Sequence, residues 1–268
     1  MQDEYSLNRY LTFNAGVRYD YYSSFGDVIT PRAGVVFTPF ANSSIKLLFG
    51  RGFRAPNHFE LFAVEPVEGD DVPTELLNPE TLSSLELIFE QHFNKQVRGE
   101  LNFFHNEMRN MTTFGATANL IENQKVGCVN SDGIEAQLEG HWSNGFQARL
   151  SYSWQTTKNI VTDERLTNSP HHMVKLNLIA PFWHDKLFAG FETQYLSHRL
   201  STRRTLIEGY VVNNITLFSQ NWIKGLELSG GIYNLFDQRY FDSGSGLHVQ
   251  DMLERDRLTF RVKLSMDF

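Results

Sequence analysis

His141 and Ser143 stand two residues apart in His141-Trp142-Ser143-Asn144-Gly145, a spacing at which a base could serve a nucleophile. A working nucleophile also needs that base oriented by a third group. The flanking residues argue for something simpler. Ile134, Ala136, Leu138, Gly140 and Trp142 occupy alternate positions, which puts His141 and Ser143 on the opposite, polar side, and Ser-Asn-Gly reads as a hairpin turn. His171 and His172 point to opposite faces of a strand, and no histidine pair has the spacing of a closed metal site. Glu65, Glu68, Asp70, Asp71 and Glu75 do not follow the ligand pattern of a calcium loop and read as a solvated acidic segment. Gly50-x-Gly52 leads into Arg-Ala-Pro rather than a helix, so it is not a nucleotide-binding loop. Cys128 is the single cysteine, which excludes an intrachain disulfide and a cysteine metal cluster. The sequence therefore assigns no catalytic residue, no metal ligand and no cofactor.

The elements carrying these residues share one pattern. Leu258, Phe260, Val262, Leu264, Met266 and Phe268 alternate without a break with Thr259, Arg261, Lys263, Ser265 and Asp267. Such period-two alternation marks a strand with one apolar and one polar face. It recurs in Leu11–Tyr19, Phe146–Trp154 and Leu187–Tyr195. About twelve strands are predicted, near 8–21, 29–40, 43–54, 83–93, 96–108, 129–142, 145–157, 171–182, 186–198, 208–220, 225–236 and 256–268. At roughly 10–14 residues each is long enough to cross a bilayer obliquely.

Connections alternate between short (Ala41-Asn42, Asn94-Lys95, Ser143-Asn144, Trp183-His184, Asn221-Trp222-Ile223) and long (22–28, 55–82, 109–128, 158–170, 199–207, 237–255). A soluble Greek-key sandwich has no reason for such a rule, whereas an up-and-down barrel with tight turns at one rim and loops at the other does. Aromatic residues gather at both strand ends: Tyr19, Tyr21, Tyr22, Trp154, Tyr195 and Tyr210 toward the loops, and Phe37, Phe40, Trp142, Phe182, Trp183, Trp222 and Phe268 toward the turns. Amphipathic rings favour the two membrane interfaces.

The bulk numbers agree. Mean hydropathy is −0.34, and no apolar run approaches the roughly 18 residues of a spanning helix. A net charge of −7 argues against a nucleic-acid partner. Met1-Gln2-Asp3-Glu4-Tyr5 has neither the basic nor the apolar region of a secretory signal. An exported barrel with that start would be a fragment, a mature form or a frame opened at an internal methionine.

Six short segments, in order, resemble the barrel of the TonB-dependent receptor family: Gly50-Arg51-Gly52-Phe53-Arg54-Ala55-Pro56 with Glu60-Leu61; Asn78-Pro79-Glu80 with Leu85-Glu86; Gly133-Ile134-Glu135-Ala136; Ser169-Pro170-His171-His172; Tyr233-Asn234-Leu235-Phe236-Asp237-Gln238-Arg239-Tyr240; and the terminal Phe268. Two details depart from the family: Glu80-Thr81-Leu82 stands where LKPE is usual, and Asp256-Arg257 where Gly-Arg is usual.

The resemblance implies an all-β, antiparallel, up-and-down transmembrane barrel of the bacterial outer membrane. Residues 1–268 would form one partial barrel domain, the C-terminal part of a barrel of about 22 strands. No segment reads as a plug, so contact with the TonB system would run through a part this chain does not show. Phe268 would be the signal read by the barrel-assembly machinery, and lipid and lipopolysaccharide would be the surrounding partners.

The implied function is energised uptake of a scarce large solute such as a ferric siderophore or cobalamin. Arg51, Phe53 and Arg54 are the candidates nearest the ligand mouth, with Arg51 and Arg54 also able to meet lipopolysaccharide phosphates. The alternatives are a barrel closed on itself as a passive pore, and an outer-membrane enzyme of phospholipase type built on His141 and Ser143.

Overall fold

In the computed structural model the described residues are 1–57, 78–117, 120–183, 186–220, 225–245 and 248–266, with side chains described outside 112–126. Seventeen strands follow one another: β1 Gln2–Asn8, β2 Leu11–Tyr22, β3 Gly26–Phe40, β4 Ser43–Arg54, β5 Glu80–His92, β6 Val97–Thr117, β7 Leu120–His141, β8 Gln147–Asn159, β9 His172–Trp183, β10 Leu187–Leu196, β11 Arg199–Leu200, β12 Leu206–Ile207, β13 Tyr210–Ser219, β14 Leu226–Tyr233, β15 Phe241–Ser243, β16 Met252–Glu254 and β17 Thr259–Met266. Thirteen of them form one sheet in chain order, β1 to β10, then β13, β14 and β17. The small hairpins β11–β12 and β15–β16 lie in the connections.

Every neighbour in the main sheet is antiparallel, and the registers carry a single face across it. One row reads Phe13↔Val35↔Leu47↔Leu87↔Phe103↔Ile134↔Trp154. On the same face, the far strands carry the row Leu178↔Phe191↔Ile215↔Ile232↔Phe260. Many of these side chains are exposed, including Leu47, Phe103, Leu150, Leu217, Leu228 and Phe260. Buried apolar side chains number only five among the described residues: Val28, Val129, Phe188, Leu196 and Ile207. A soluble sandwich buries its apolar face against a second sheet. This sheet leaves that face open along its whole length, as a wall bathed in hydrocarbon requires.

Three expectations need correcting and one is extended: to the about twelve strands expected the main sheet adds β1, which pairs with β2 from Gln2↔Gly16 to Asn8↔Leu11. Asp3 sits on the otherwise apolar face there and hides the alternation. The 22–28 connection is no long loop: β2 and β3 pair out to Tyr22↔Gly26, leaving a three-residue turn. The 109–128 connection is largely strand, an extension of the β6–β7 hairpin beyond a bulge at Met108–Met111. Among the described residues the sheet is also open, with β1 paired only to β2 and β17 only to β14, so it does not close on itself as the pore alternative supposed. Phe268, the acidic segment 65–75 and Glu60-Leu61 lie outside the described residues.

Candidate functional site

Strand alternation sends the polar partners of that apolar face to the opposite side, the lumenal one of a barrel wall. Arg18, Lys46, Glu90, Arg98, Glu100, Glu135, Glu139, Arg149, Lys175, Glu192, Glu227, Arg261 and Lys263 all fall in this phase. Lys46, Glu90, Arg98, Glu139 and Arg149 gather into one cluster at the turn end of the wall, and a second polar cluster lies at the loop end.

The turn-end cluster is a belt of shared carboxylates. Lys46 Nζ donates to Glu90 Oε2 at 2.8 Å, and Arg98 Nη1 lies 3.8 Å from the other Glu90 oxygen. Arg98 Nη2 donates to Glu139 Oε2 at 2.8 Å, and Arg149 Nε reaches Glu139 Oε1 at 2.6 Å. Each carboxylate therefore links cations on two neighbouring strands, and the belt crosses β4 to β8. The two glutamates are the best-shielded members, while the arginines stay partly in water.

The loop-end cluster is built from the connections. Asn234 closes β14 in the left-handed region at φ 53°, and it is buried. Its Nδ2 donates to the carbonyls of Gln238 and Asp256, and its Oδ1 accepts from the Gln238 N–H. Asparagine suits this place because it tolerates that backbone region and satisfies three backbone groups at once. Asp237 then accepts from Arg257 Nε and Nη2 at 2.8 and 2.6 Å and from the Leu258 N–H. Those bonds hold the Asp237 carboxyl below the usual aspartate range, with the Arg257 hydrogen bond as the main cause.

Arg199 is the most enclosed charge of the described chain, with its side chain 2% exposed. Its Nε donates to Asn168, and its Nη2 donates to the Phe241 carbonyl and to Asp242 at 2.8 Å. Its Nη1 has no hydrogen-bond partner among the described residues. The neighbouring Tyr210 stacks at a tilt on Tyr240, with ring centres 4.5 Å apart. Tyr210 was expected in the outer aromatic girdle; alternation instead turns it to the lumen, opposite Leu196.

Beside these rings a polar cavity of about 180 Å³ opens on the lumenal wall. Tyr210, Tyr233, Tyr240, Arg255, Arg257 and Arg261 line it, and Arg261 lies over the Tyr233 ring at 4.7 Å. Of these residues, the sequence singled out Arg261 as lumenal. Arg255 and Arg257 come from a connection whose folding back onto β14 no periodicity announces.

The mouth candidates separate. Arg51 and Phe53 share the apolar phase of Leu47 and Phe49, whereas Arg54 falls on the lumenal side and donates from Nε to Glu80 at 2.7 Å. Gly50 and Gly52, in the lumenal phase, have no atom within 4 Å of the place a Cβ would take, so the wall is bare beside Arg54. Arg51 sits at the outer rim, where the apolar face gives way to charge: Arg109 Nη2 is 2.6 Å from Glu107, and His105 Nδ1 is 2.6 Å from Asp132.

His141 ends β7 and Ser143 lies in the turn that follows it. Trp142 lays its ring over Gly140, and Gly145 closes the turn at φ 85° with its N–H on the Trp142 carbonyl. His171 Nδ1 meets the Gln155 carbonyl, and His172 Nδ1 meets the Tyr152 hydroxyl, so the two rings serve different partners.

The family described as TonB dependent receptor-like, beta-barrel matches residues 1–235. Transferrin-binding protein A of Neisseria meningitidis serogroup B is 28% identical over 127 residues, which are 43% of this chain and 13% of that protein. The ferric enterobactin receptor PfeA of Pseudomonas aeruginosa superposes over 100% of this chain and 44% of its own, with TM-score 0.79 and 18% identity. The copper transporter OprC gives 100% and 47%, TM-score 0.79 and 14% identity. The FrpB iron transporter of Neisseria meningitidis gives 100% and 44%, TM-score 0.75 and 13% identity. The chain thus spans less than half the length of these solved barrels.

Proposed function

The chain belongs to the TonB-dependent receptor-like β-barrel family of the bacterial outer membrane, and on that footing we propose that it is barrel wall from a receptor for TonB-energised uptake of a scarce large solute, a ferric siderophore or cobalamin. Residues 1–268 act as one stretch of barrel domain in this reading. The observation that carries it is the division of one sheet into an apolar outer face and a charged lumenal face with a cavity at its loop end. The names of similar barrels point the same way: PfeA is a ferric enterobactin receptor, FrpB an iron transporter and OprC a copper transporter.

The loop-end lumen is the place for solute. Guanidinium groups of Arg255 and Arg261 and phenols of Tyr210 and Tyr233 offer charge and hydrogen bonds to an anionic chelate. Arg54 stands on the same side nearer β4, and Phe53 edges onto Tyr22 with ring centres 6.0 Å apart. Arg51 and Arg109, on the outer rim, suit the phosphates of lipopolysaccharide. Contact with the TonB system runs through a plug, and Phe268 serves recognition by the assembly machinery.

The test is uptake of radiolabelled ferric siderophores and cobalamin by cells that carry the protein, with and without TonB. Saturable uptake that disappears without TonB is the expected result. Uptake that persists without TonB, or no saturable uptake at all, would overturn the reading.

A further inference from the structure

The three connections that follow β8, β10 and β14 are bonded to one another. Arg199, in the β10–β13 connection, donates from Nε to Asn168 of the β8–β9 connection at 3.1 Å, and from Nη2 to the Phe241 carbonyl and Asp242 of the β14–β17 connection. The Leu200 carbonyl accepts the Asn168 N–H at 2.7 Å, and Arg204 Nη1 lies 3.2 Å from Glu164. Asp251 of the β14–β17 connection accepts the Ser201 hydroxyl on Oδ2 at 2.7 Å and the Arg203 N–H on Oδ1 at 3.1 Å. Ser201 Oγ in turn accepts the Thr205 N–H at 3.0 Å. Thr202 donates its N–H to Ser243 Oγ at 2.9 Å and its hydroxyl to the Gly244 carbonyl. Ser197, Arg199, Ser201 and Ile207 are all buried, which a free-standing surface loop would not allow.

The geometry points to a composite lid: the β8–β9, β10–β13 and β14–β17 connections open and close as one body. Independent loops open at almost no cost, because few buried groups depend on them. Here each connection satisfies polar groups of another. Opening the β10–β13 connection alone would take donors from Asn168, the Phe241 carbonyl and Asp251. Opening either neighbour alone would take a partner from the enclosed Arg199. Either loss costs more than leaving the three together. Arg199 and Asp251 are the two clasps of the lid. It borders the lumenal cavity: Arg255 donates its N–H to the Tyr240 carbonyl at 3.1 Å, its Nε lies 3.3 Å from Asp242, and Arg255, Tyr210 and Tyr240 line the cavity. Whatever enters that cavity meets one leaf rather than three separate loops. This inference rests on the bonds between the connections and not on the solute reading; failed uptake would leave it intact.

Hydrogen–deuterium exchange of the whole protein in detergent micelles, read peptide by peptide, tests it. Asp251→Ala removes the acceptor of Ser201 and Arg203. It should speed exchange about tenfold in all three connections, including β8–β9, to which Asp251 makes no hydrogen bond among the described residues. The strands β9, β10 and β13 should keep wild-type exchange. Ser201→Ala, which removes a single hydroxyl, gives the same reading should Asp251→Ala fail to fold. Asp132→Ala, which breaks the His105 pair between β6 and β7, should leave the three connections as in wild type. Faster exchange confined to the β10–β13 and β14–β17 connections would overturn the proposal. So would no change in any connection, or an equal rise in β9, β10 and β13.

Discussion

At the turn end of the lumenal wall, charges stand on adjacent strands and meet across the pleat; at the loop end, they arrive on connecting segments and are folded in. The belt Lys46–Glu90–Arg98–Glu139–Arg149 uses only what strand register supplies, because side chains on one face of paired strands lie within reach of each other. The loop-end cluster needs Arg199, Asn234, Asp237 and Asp242 to leave the strand pattern and adopt places no pleat provides. The first arrangement is repetitive; the second is particular, with Arg199 and Asn234 enclosed while Asp237, Asp242 and Arg257 stay partly in water. The difference teaches where stability is concentrated: a half-solvated ion pair is worth roughly 0–1 kcal/mol, while a buried guanidinium cannot lose its partners without a larger cost.

The sharpest way to break this contrast is to remove one arginine from each end. Arg199→Ala should lower stability by about 2–3 kcal/mol, since it takes the Arg199 donors from Asn168 and the Phe241 carbonyl and leaves Asp242 with Arg255. Arg149→Ala should cost no more than about 1 kcal/mol. Thermal unfolding in detergent micelles, followed by loss of the β-sheet signal, measures both. If the two variants melt together, the enclosed cluster is not the stronger of the pair.

A finer test asks whether the belt acts as a network. Glu139→Gln removes the carboxylate shared by Arg98 and Arg149 and should destabilise by about 1 kcal/mol at low salt, with most of the effect gone near 1 M salt, where screening lengths shrink to about 3 Å. A salt-independent loss would mean that Glu139 matters for packing and not for charge.

The smallest effect concerns the Asp237–Arg257 link. A carboxyl held below its usual range contributes stability above the unfolded value, and that contribution fades as pH falls through the lowered folded value. The β14–β17 connection should therefore become more accessible to an acid-active protease below the ordinary aspartate range. Asp237→Asn should show that accessibility already at neutral pH and little further change on acidification.

The legible part of this protein was its period-two pattern. That pattern placed the main-sheet strands from β2 onward and distinguished their two faces, from which it follows that Lys46, Glu90, Arg98, Glu139 and Arg149 share a side; it did not announce the small hairpins β11–β12 and β15–β16. It failed where alternation is masked or over-read. Asp3 on the apolar side hides β1, and the segment around the 23–25 turn reads as a long loop because Tyr22, Asp27 and the residues between carry no apolar alternation. Arg51, Phe53 and Arg54 read as one motif, yet one residue of offset sends Arg54 to the lumen and the other two outward.

The sequence alone determined that this chain makes a two-faced antiparallel wall, because every second side chain must point the same way along an extended backbone. Only the tertiary structure decided which charges meet, that Tyr210 turns inward, that Arg255 and Arg257 return to line a cavity, and that Phe93 folds back over Gly99. Those outcomes depend on how strands are registered and how connections fold back over them. Both join residues far apart in the chain, where no local spacing can specify the encounter.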